Sequence, residues 1–322
     1  MSREYYQAKY QKLEDIQGIG PATATKLREL GFRTVESLAT ASLRELVVGG
    51  IGDSTAEKII AEARKASEIK FVTGAELAEM RKNMQKMTTG CKTLDNLLDG
   101  GLETQSITEF YGEFGSGKSQ ICQQLAVSVQ LPKEKGGLEG GCLYIDTEQV
   151  FRPERIRDMA GLLGIDPAEA LKKIVFAEAY TSDHQMILLD SADEVIKEHN
   201  IKCIIVDSMT SHFRHEYIGR ENLAPRQQKL NVHMHKLVKL ARAFNTVAIV
   251  TNQVSQTPDL FSGRGPDPIG GHIMGHTAHT RIYLRKGKHE TRIAKIVASP
   301  FLPESETPIR ITDKGIEGDD EL

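Results

Sequence analysis

The chain has 322 residues, 39% apolar and 26% charged, with a formal net charge of -3. The length predicts two domains, one large enough for a sizeable core, and the charge excludes a general polycation, so any nucleic-acid contact has to come from local basic patches. Cys91, Cys122, Cys142 and Cys203 form no C-x-x-C, no signal peptide opens the chain and no run of about 18 apolar residues occurs, so neither a zinc site, a disulfide framework nor a membrane span is indicated and a cytoplasmic protein is expected.

Residues 1–14 are polar, hold Tyr5, Tyr6 and Tyr10, and read as a frayed lead-in or a short helix. From Leu13 to about Ala66 the pattern is helical and weakly repeated. Gly18-Ile19-Gly20 precedes a helix carrying Ala24, Leu27 and Leu30 and closed by Gly31; Gly50-Ile51-Gly52 precedes a helix carrying Ala56, Ile59 and Ile60. A G-I-G turn between short helices is similar to a helix-hairpin-helix, in which glycines such as Gly18 and Gly20 let backbone N–H groups approach a DNA phosphate without reading sequence. The other reading is a small bundle using G-I-G only as a tight turn. Two tandem copies ahead of a nucleotide-binding motif favour DNA binding, or descent from it. Around Phe71-Val72-Thr73-Gly74 the helical pattern breaks. Such a segment could add a strand to a neighbouring subunit's sheet, with Phe71 as anchor, or pack on its own chain. Ala75 to Lys86 then reads as a linker helix, and the large domain starts near Met87.

The run Ser106 to Tyr111 reads as a strand, and Gly112-Glu113-Phe114-Gly115-Ser116-Gly117-Lys118-Ser119 matches G-x-x-x-x-G-K-[ST]. A helix follows, with Ile121, Leu125 and Val129 on one face. Strand, glycine-rich loop and helix form the context a phosphate cradle needs: backbone N–H groups curl around the phosphates at the positive end of the helix. Lys118 can reach the β- and γ-phosphates, and the Ser119 hydroxyl can hold Mg²⁺. Four further apolar strands, at Cys142–Asp146, Ile174–Ala177, Cys203–Asp207 and Val247–Gln253, alternate with helical patterns at Glu154–Leu163, Gln185–Lys197 and Gln228–Arg242. Continuous Val/Ile runs between helices predict an α/β domain with a mostly parallel sheet buried on both faces. Residues 280–297 read as a hairpin around Gly287-Lys288, and the tail ends acidic.

In such a sheet ligands bind beyond the carboxyl ends of the strands. Asp207 ends one strand and can hold Mg²⁺ through water while Ser119 binds it directly; a capping Asp is the alternative. Glu148, just past a neighbouring strand, could orient and polarise an attacking water, or cap the next turn. Gln253 could sense the γ-phosphate, or be a structural amide. Ser211 to Lys229, with Arg214, Arg220 and Arg226, and Ser255 to Gly271, with Phe261 and Arg264, read as long loops starting at the same sheet face. Arginines there could hold phosphates and Phe261 could insert beside bases, which favours single-strand binding over two solvated loops.

These pieces together resemble the archaeal RadA recombinases, relatives of bacterial RecA and the eukaryotic strand-exchange proteins. The resemblance rests on GEFGSGKS at 112–119, YIDTE at 144–148, FRPERI at 151–156, VDSMTSHFRHEYIGR at 206–220, RQQKL at 226–230, TNQVS at 251–255 and IGGHIMGH at 269–276, and runs from Leu13 to Gly315. It implies a RecA-type P-loop ATPase core (88–322) with DNA-binding loops at about 211–229 and 255–271. A small all-α helix-hairpin-helix domain (1–66) and a linker with a polymerisation segment (67–87) would precede that core. It further implies Glu148 as the catalytic carboxylate, Arg155 as the adenine neighbour, Phe71 as the anchor docking on the adjacent protomer and Pro303 as a cap on the neighbour's ATP. His276 would couple that ATP to the second loop. Departures occur at Gln149-Val150, where the family usually has Gly-Thr, at Glu221 after Arg220, at Leu260 before Phe261, and at Ala298, where many members carry Asp. The missing carboxylate at Ala298 predicts weakened binding of a monovalent cation, K⁺, near the ATP.

The resemblance implies an ATP- and Mg²⁺-dependent DNA recombinase that forms filaments on single-stranded DNA, pairs it with duplex DNA and hydrolyses ATP in a DNA-dependent way, with recombination mediators as further partners. The alternatives are an ATP-binding mediator or paralogue that exchanges no strands itself, and a hexameric helicase-like motor.

Overall fold

The computed structural model describes residues 12–66, 72–82, 84–254, 268–288 and 290–318. After a 3₁₀ turn at Leu13–Asp15 come α1 (Pro21–Glu29), α2 (Val35–Ala39), α3 (Leu43–Val48) and α4 (Asp53–Ala66). Pro21 starts α1 with the φ a first turn needs. Thr34 with Ser37, and Ser42 with Glu45, form reciprocal caps on α2 and α3. The inward faces, with Leu13, Leu27, Leu38, Leu46 and Ile59 fully buried, form one small core.

Then follow α5 (Gly74–Lys82), β1 (Lys86–Met87), α6 (Lys92–Leu97), β2 (Leu102–Glu103), β3 (Ile107–Gly112), α7 (Lys118–Ser128), β4 (Gly141–Asp146), α8 (Pro153–Leu163), α9 (Pro167–Lys172) and β5 (Ile174–Glu178). The chain continues through α10 (Ser182–Asp190), α11 (Ala192–Glu198), β6 (Ile201–Asp207), α12 (Ser211–Glu216), α13 (Leu223–Ala243), β7 (Val247–Asn252), α14 (Gly271–Thr277), β8 (Thr280–Lys286), β9 (Thr291–Ala298), β10 (Glu306–Ile311) and β11 (Ile316–Gly318). Among the described residues, nine strands form one sheet in the order β11-β10-β9-β8-β3-β7-β6-β4-β5. The stretch from β8 to β5 is parallel, and β9, β10 and β11 finish the other end antiparallel. Strand alternation divides the core: Ile205 and Ile249 face α6 and α7, while Ile204, Val206 and Val250 face α10 to α13. Each fully buried aliphatic side chain contributes about 1.5–3 kcal/mol. No helix among the described residues is long and apolar enough to cross a membrane.

The helical domain sits on the outer face of α11 and α13 through polar contacts. Asp193 is buried and accepts from the Arg33 N–H at 2.8 Å and the Ser37 hydroxyl at 3.1 Å. Burial pushes its carboxyl up, against the pull of Lys236 and those donors. Ion pairs join Arg33 to Glu194, Glu36 to Lys197 and Glu45 to Lys239. The Lys236 ammonium donates to the Gly31 carbonyl beyond the end of α1.

Three expectations are corrected. The linker helix ends at Lys82 and not Lys86, because 86–87 pair antiparallel with β2 and bury Met87, a tertiary pairing that overrides local propensity. The helix expected over Gln185–Lys197 is two helices meeting at Ser191. The segment 211–229 is mostly helical: α12 buries Phe213 and α13 starts at Leu223, which leaves 217–222 as the connection. The expected hairpin is present as β8 and β9, and β8 also pairs in parallel with β3 in the main sheet.

Candidate nucleotide and nucleic-acid site

The P-loop leaves the end of β3 and closes on the first turn of α7. At Gly112 any Cβ would lie 2.1 Å from the Leu284 carbonyl oxygen, so only glycine fits. Gly117 caps α7 at φ +104°, a left-handed conformation that favours glycine. The Ser116 hydroxyl is buried inside this loop with no hydrogen-bond partner among the described residues. A phosphate oxygen would supply that partner, so the cradle fits the group its sequence implies. Glu113 and Phe114 form the tip, with Phe114 91% exposed. The Lys118 ammonium donates to the carbonyls of Gly112 at 2.9 Å and Glu113 at 3.0 Å. Burial lowers its pKa, and the carboxylates of Asp207 and Glu148 push it back up.

Asp207 ends β6 and is buried. Its carboxylate accepts from the Tyr144 hydroxyl at 2.8 Å and the Thr251 hydroxyl at 2.5 Å, and Ser119 also donates to it. Burial raises its pKa; the three hydroxyl donors lower it and the charge of Glu148 raises it. The same burial, with Asp207 beside it, holds the Tyr144 phenol well above its usual range. A divalent cation in contact with the Ser119 hydroxyl and near Asp207 would reverse the electrostatic cost of that buried carboxylate.

Glu148 is set by a residue whose role the sequence reading missed. Asp146 ends β4, and its carboxylate accepts from the backbone N–H of Glu148 at 3.0 Å, Val150 at 2.9 Å and Phe151 at 2.9 Å. A strand-end Asp followed by a turn is the only signal the sequence offers for this. The turn passes through Gln149 at φ +56°, where the resembling proteins usually have glycine. That conformation costs a side-chain-bearing residue about 1–2 kcal/mol, partly offset here by the Gln149 amide donating to Glu178 at 2.5 Å. Glu148 in turn accepts from the Gln253 amide at 3.0 Å. The ends of β4 and β7 are therefore joined by two of the candidate residues.

Arg155 on α8 donates to the Gln120 side chain at 2.7 Å and to the carbonyls of Thr312 and Asp313, which fixes its guanidinium beside the start of α7. Pro303 and Ala298 are not near the P-loop of their own chain. Ala298 pairs with Arg281, and β8 starts level with Thr108 and Glu109, roughly 10–13 Å down β3 from Gly112. The exposed segment 299–305 thus leaves the end of the sheet opposite the P-loop. His276 is exposed on α14.

Arg214 on α12, Arg220 in the connection and Arg226 on the first turn of α13 line one open groove of about 720 Å³ with Tyr217, Ile218 and Leu223. Lys229 faces Asp183 at 2.7 Å and lies over the Tyr217 ring, so its charge is already engaged. Gly18 adopts φ +97° before α1, and Gly20 caps that helix with nothing within 4 Å of its would-be Cβ; Gly50 at φ +81° and Gly52 repeat this before α4. Both turns therefore leave a helix N-terminus open to a phosphate. Phe71, Phe261 and Arg264 lie outside the described residues.

Residues 80–319 match the Rad51 family model, and residues 10–65 match the model of the SAM-like helix-hairpin-helix tandem. The DNA repair and recombination protein RadA of Ignicoccus hospitalis is 50% identical over 307 residues, 94% of each chain. The protein of the same name from Aeropyrum pernix is 50% identical over 305 residues, 94% of this chain and 96% of its own.

Proposed function

The chain belongs to the Rad51 family, as an archaeal RadA-type recombinase, and from that premise we propose which of its residues carry each step. It is a DNA-dependent ATPase of recombination and repair, with ATP and Mg²⁺ as cofactors and DNA and its own copies as partners. Residues 112–119 hold the phosphates, Arg155 flanks the adenine, Ser119 and Asp207 hold Mg²⁺, and Glu148 orients and deprotonates the attacking water. Gln253 reports the γ-phosphate to the second loop, a coupling that His276 shares. Arg214, Arg220 and Arg226, with Phe261 and Arg264, grip single-stranded DNA, and Gly18 and Gly20 in the helical domain hold duplex phosphates.

Filament growth uses Phe71 of one protomer on the next. The acceptor we assign is the edge of β5, the outermost strand of the sheet among the described residues, flanked by exposed Phe176, Tyr180 and Ile187. The segment carrying Pro303 points away from its own P-loop and serves the neighbour's ATP. Recombination mediators load the protein, and its place is the cytoplasm with its DNA.

The observation that carries this reading is the Glu148–Gln253 hydrogen bond at 3.0 Å, which links a candidate water-activating carboxylate to the root of a candidate DNA-binding loop. Strand exchange between a circular single strand and a linear duplex, by the purified protein alone, tests it. A mediator would give none without a second recombinase. The arginine groove makes a further prediction. Each phosphate neutralised on a single strand adds about 0.7 to the salt slope, so changing Arg214, Arg220 and Arg226 to Ala lowers that slope by about 2. Titrating oligo(dT) binding against salt measures it, and an unchanged slope removes the groove from the DNA path.

Ala298 makes another prediction. Its methyl group offers no ligand to a hard cation, and the charge of the ligand set governs affinity. K⁺ therefore stimulates this ATPase little beyond Na⁺, and Ala298→Asp raises the K⁺-specific part. Titration of KCl against NaCl at fixed ionic strength cancels general screening. Equal K⁺ selectivity in both proteins counts against the idea.

A further inference from the structure

Beyond Gln253, the end of β7 holds a second polar side chain with a complete set of partners. Asn252 is fully buried. Its carboxamide N–H₂ donates to the Glu109 carboxylate at 2.8 Å and to the Ile269 carbonyl at 2.5 Å. Its carbonyl oxygen accepts from the Thr210 hydroxyl at 2.7 Å. An amide has two donors and one acceptor oxygen, so every polar atom of Asn252 is used. Each partner belongs to a different element of the site. Glu109 lies on β3, three residues before Gly112, and is itself fixed by Arg281 at 2.6 Å. Thr210 is the cap of α12, whose Arg214 lines the arginine groove. Ile269 follows the return of the chain from the second loop, whose two ends pair at Val254 and Pro268.

Packing reinforces the convergence. A Cβ on Gly270 would lie 3.5 Å from the Thr210 methyl group, and the Gly270 carbonyl accepts from Gln227 of α13 at 3.2 Å. The Ile269 N–H donates to the Gln253 carbonyl at 2.8 Å. One buried amide thus touches the strand that carries the P-loop, the start of the first basic segment and the root of the second loop.

We propose that Asn252 is a positioning residue that couples both DNA-binding segments to the nucleotide cradle, with the Thr210 hydroxyl as its arm to the first segment. The inference rests on the DNA-binding reading of 211–229 and 255–271. Buried, fully satisfied amides hold one arrangement of their neighbours, because breaking any arm strands a polar group. A change in either DNA segment therefore reaches β3 through this amide, independently of the Glu148–Gln253 bond.

Thr210→Val keeps the shape and deletes the hydroxyl, and Thr210→Ser keeps the hydroxyl and deletes the methyl group. Coupling is read as the factor by which ATP tightens binding of labelled oligo(dT), and by reciprocity as the factor by which oligo(dT) tightens a fluorescent ATP analogue. Thr210→Val lowers both factors about five-fold or more and leaves analogue affinity without DNA within about two-fold; Thr210→Ser keeps both near the unmodified value. Asn252→Leu, which removes all three arms, lowers the factors at least as far. Equal coupling in the Val and Ser variants overturns the proposal, as does full coupling in Asn252→Leu. A fall in DNA-free analogue affinity as large as the fall in coupling also overturns it, because the role is then structural. In the unmodified protein, absence of oligo(dT) binding with or without ATP refutes the DNA-binding reading itself, whereas binding that ATP does not tighten overturns the coupling proposal alone.

Discussion

Replacing Lys118 by Ala is expected to abolish ATP-dependent binding of single-stranded DNA while the protein stays folded. Lys118 is the cation placed inside the loop, 2.9 Å from the Gly112 carbonyl and 3.0 Å from that of Glu113. Each charge-assisted bond it makes to a phosphate is worth about 1.5–3 kcal/mol, so ATP affinity falls roughly ten- to a hundred-fold. Loss of the charge also removes the cation on which the carboxylates of Asp207 and Glu148 act. The fold survives because β3 and α7 are held by apolar packing of Phe110, Ile121 and Leu125. Titration with a fluorescent ATP analogue, oligo(dT) binding with and without ATP, and a thermal melt test all three parts. Normal ATP turnover in the variant removes the P-loop from the mechanism.

Glu148→Gln is expected to lower DNA-stimulated ATP turnover by about 10²–10⁴-fold with nucleotide binding nearly unchanged. The substitution keeps the side chain's length and its carbonyl oxygen. The Gln253 amide, now 3.0 Å from the Glu148 carboxylate, therefore keeps an acceptor. The Asp146 turn that aims the residue uses only backbone N–H groups and is untouched. What disappears is basicity. DNA complexes formed with ATP should then persist far longer, since hydrolysis no longer turns them over. Phosphate release and complex lifetime are the two readouts. Turnover within about three-fold of the unmodified protein would show that another group activates the water.

How much of this was legible beforehand follows from the range of the forces involved. The P-loop was readable because glycine, lysine and serine at fixed spacing dictate a local backbone path. The five parallel strands near it were readable because continuous Val/Ile runs have no other comfortable home. The end of the linker helix was not, since Met87 is drawn into a pairing with Leu102 that local propensity cannot register. The first basic segment looked like a loop for a related reason. Its charged residues face solvent, α12 buries only Phe213, and the buried face that holds α13 begins at Leu230, past the basic segment. Asp146 was unassigned because its role appears only when three N–H groups converge on it. Pro303 and Ala298 were singled out as an ATP-capping segment only through resemblance; their distance from their own P-loop needs the strand order.

The docking of the helical domain has a hydrodynamic consequence. Its seat on α11 and α13 is made of charge pairs and carbonyl contacts around Asp193, Glu194, Lys197, Lys236 and Lys239, whereas each domain's own interior is apolar. The exposed pairs, Arg33–Glu194 and Glu45–Lys239, are each worth about 0–1 kcal/mol and fade as the screening length shrinks from about 10 Å at 0.1 M salt to about 3 Å at 1 M, while buried Asp193 and Glu36 are screened much less. Salt therefore loosens the joint long before it touches either body. The drag of the molecule is therefore expected to rise with salt as the exposed pairs weaken, by an amount that measures how far the buried contacts at Asp193 and Glu36 still hold the two domains together.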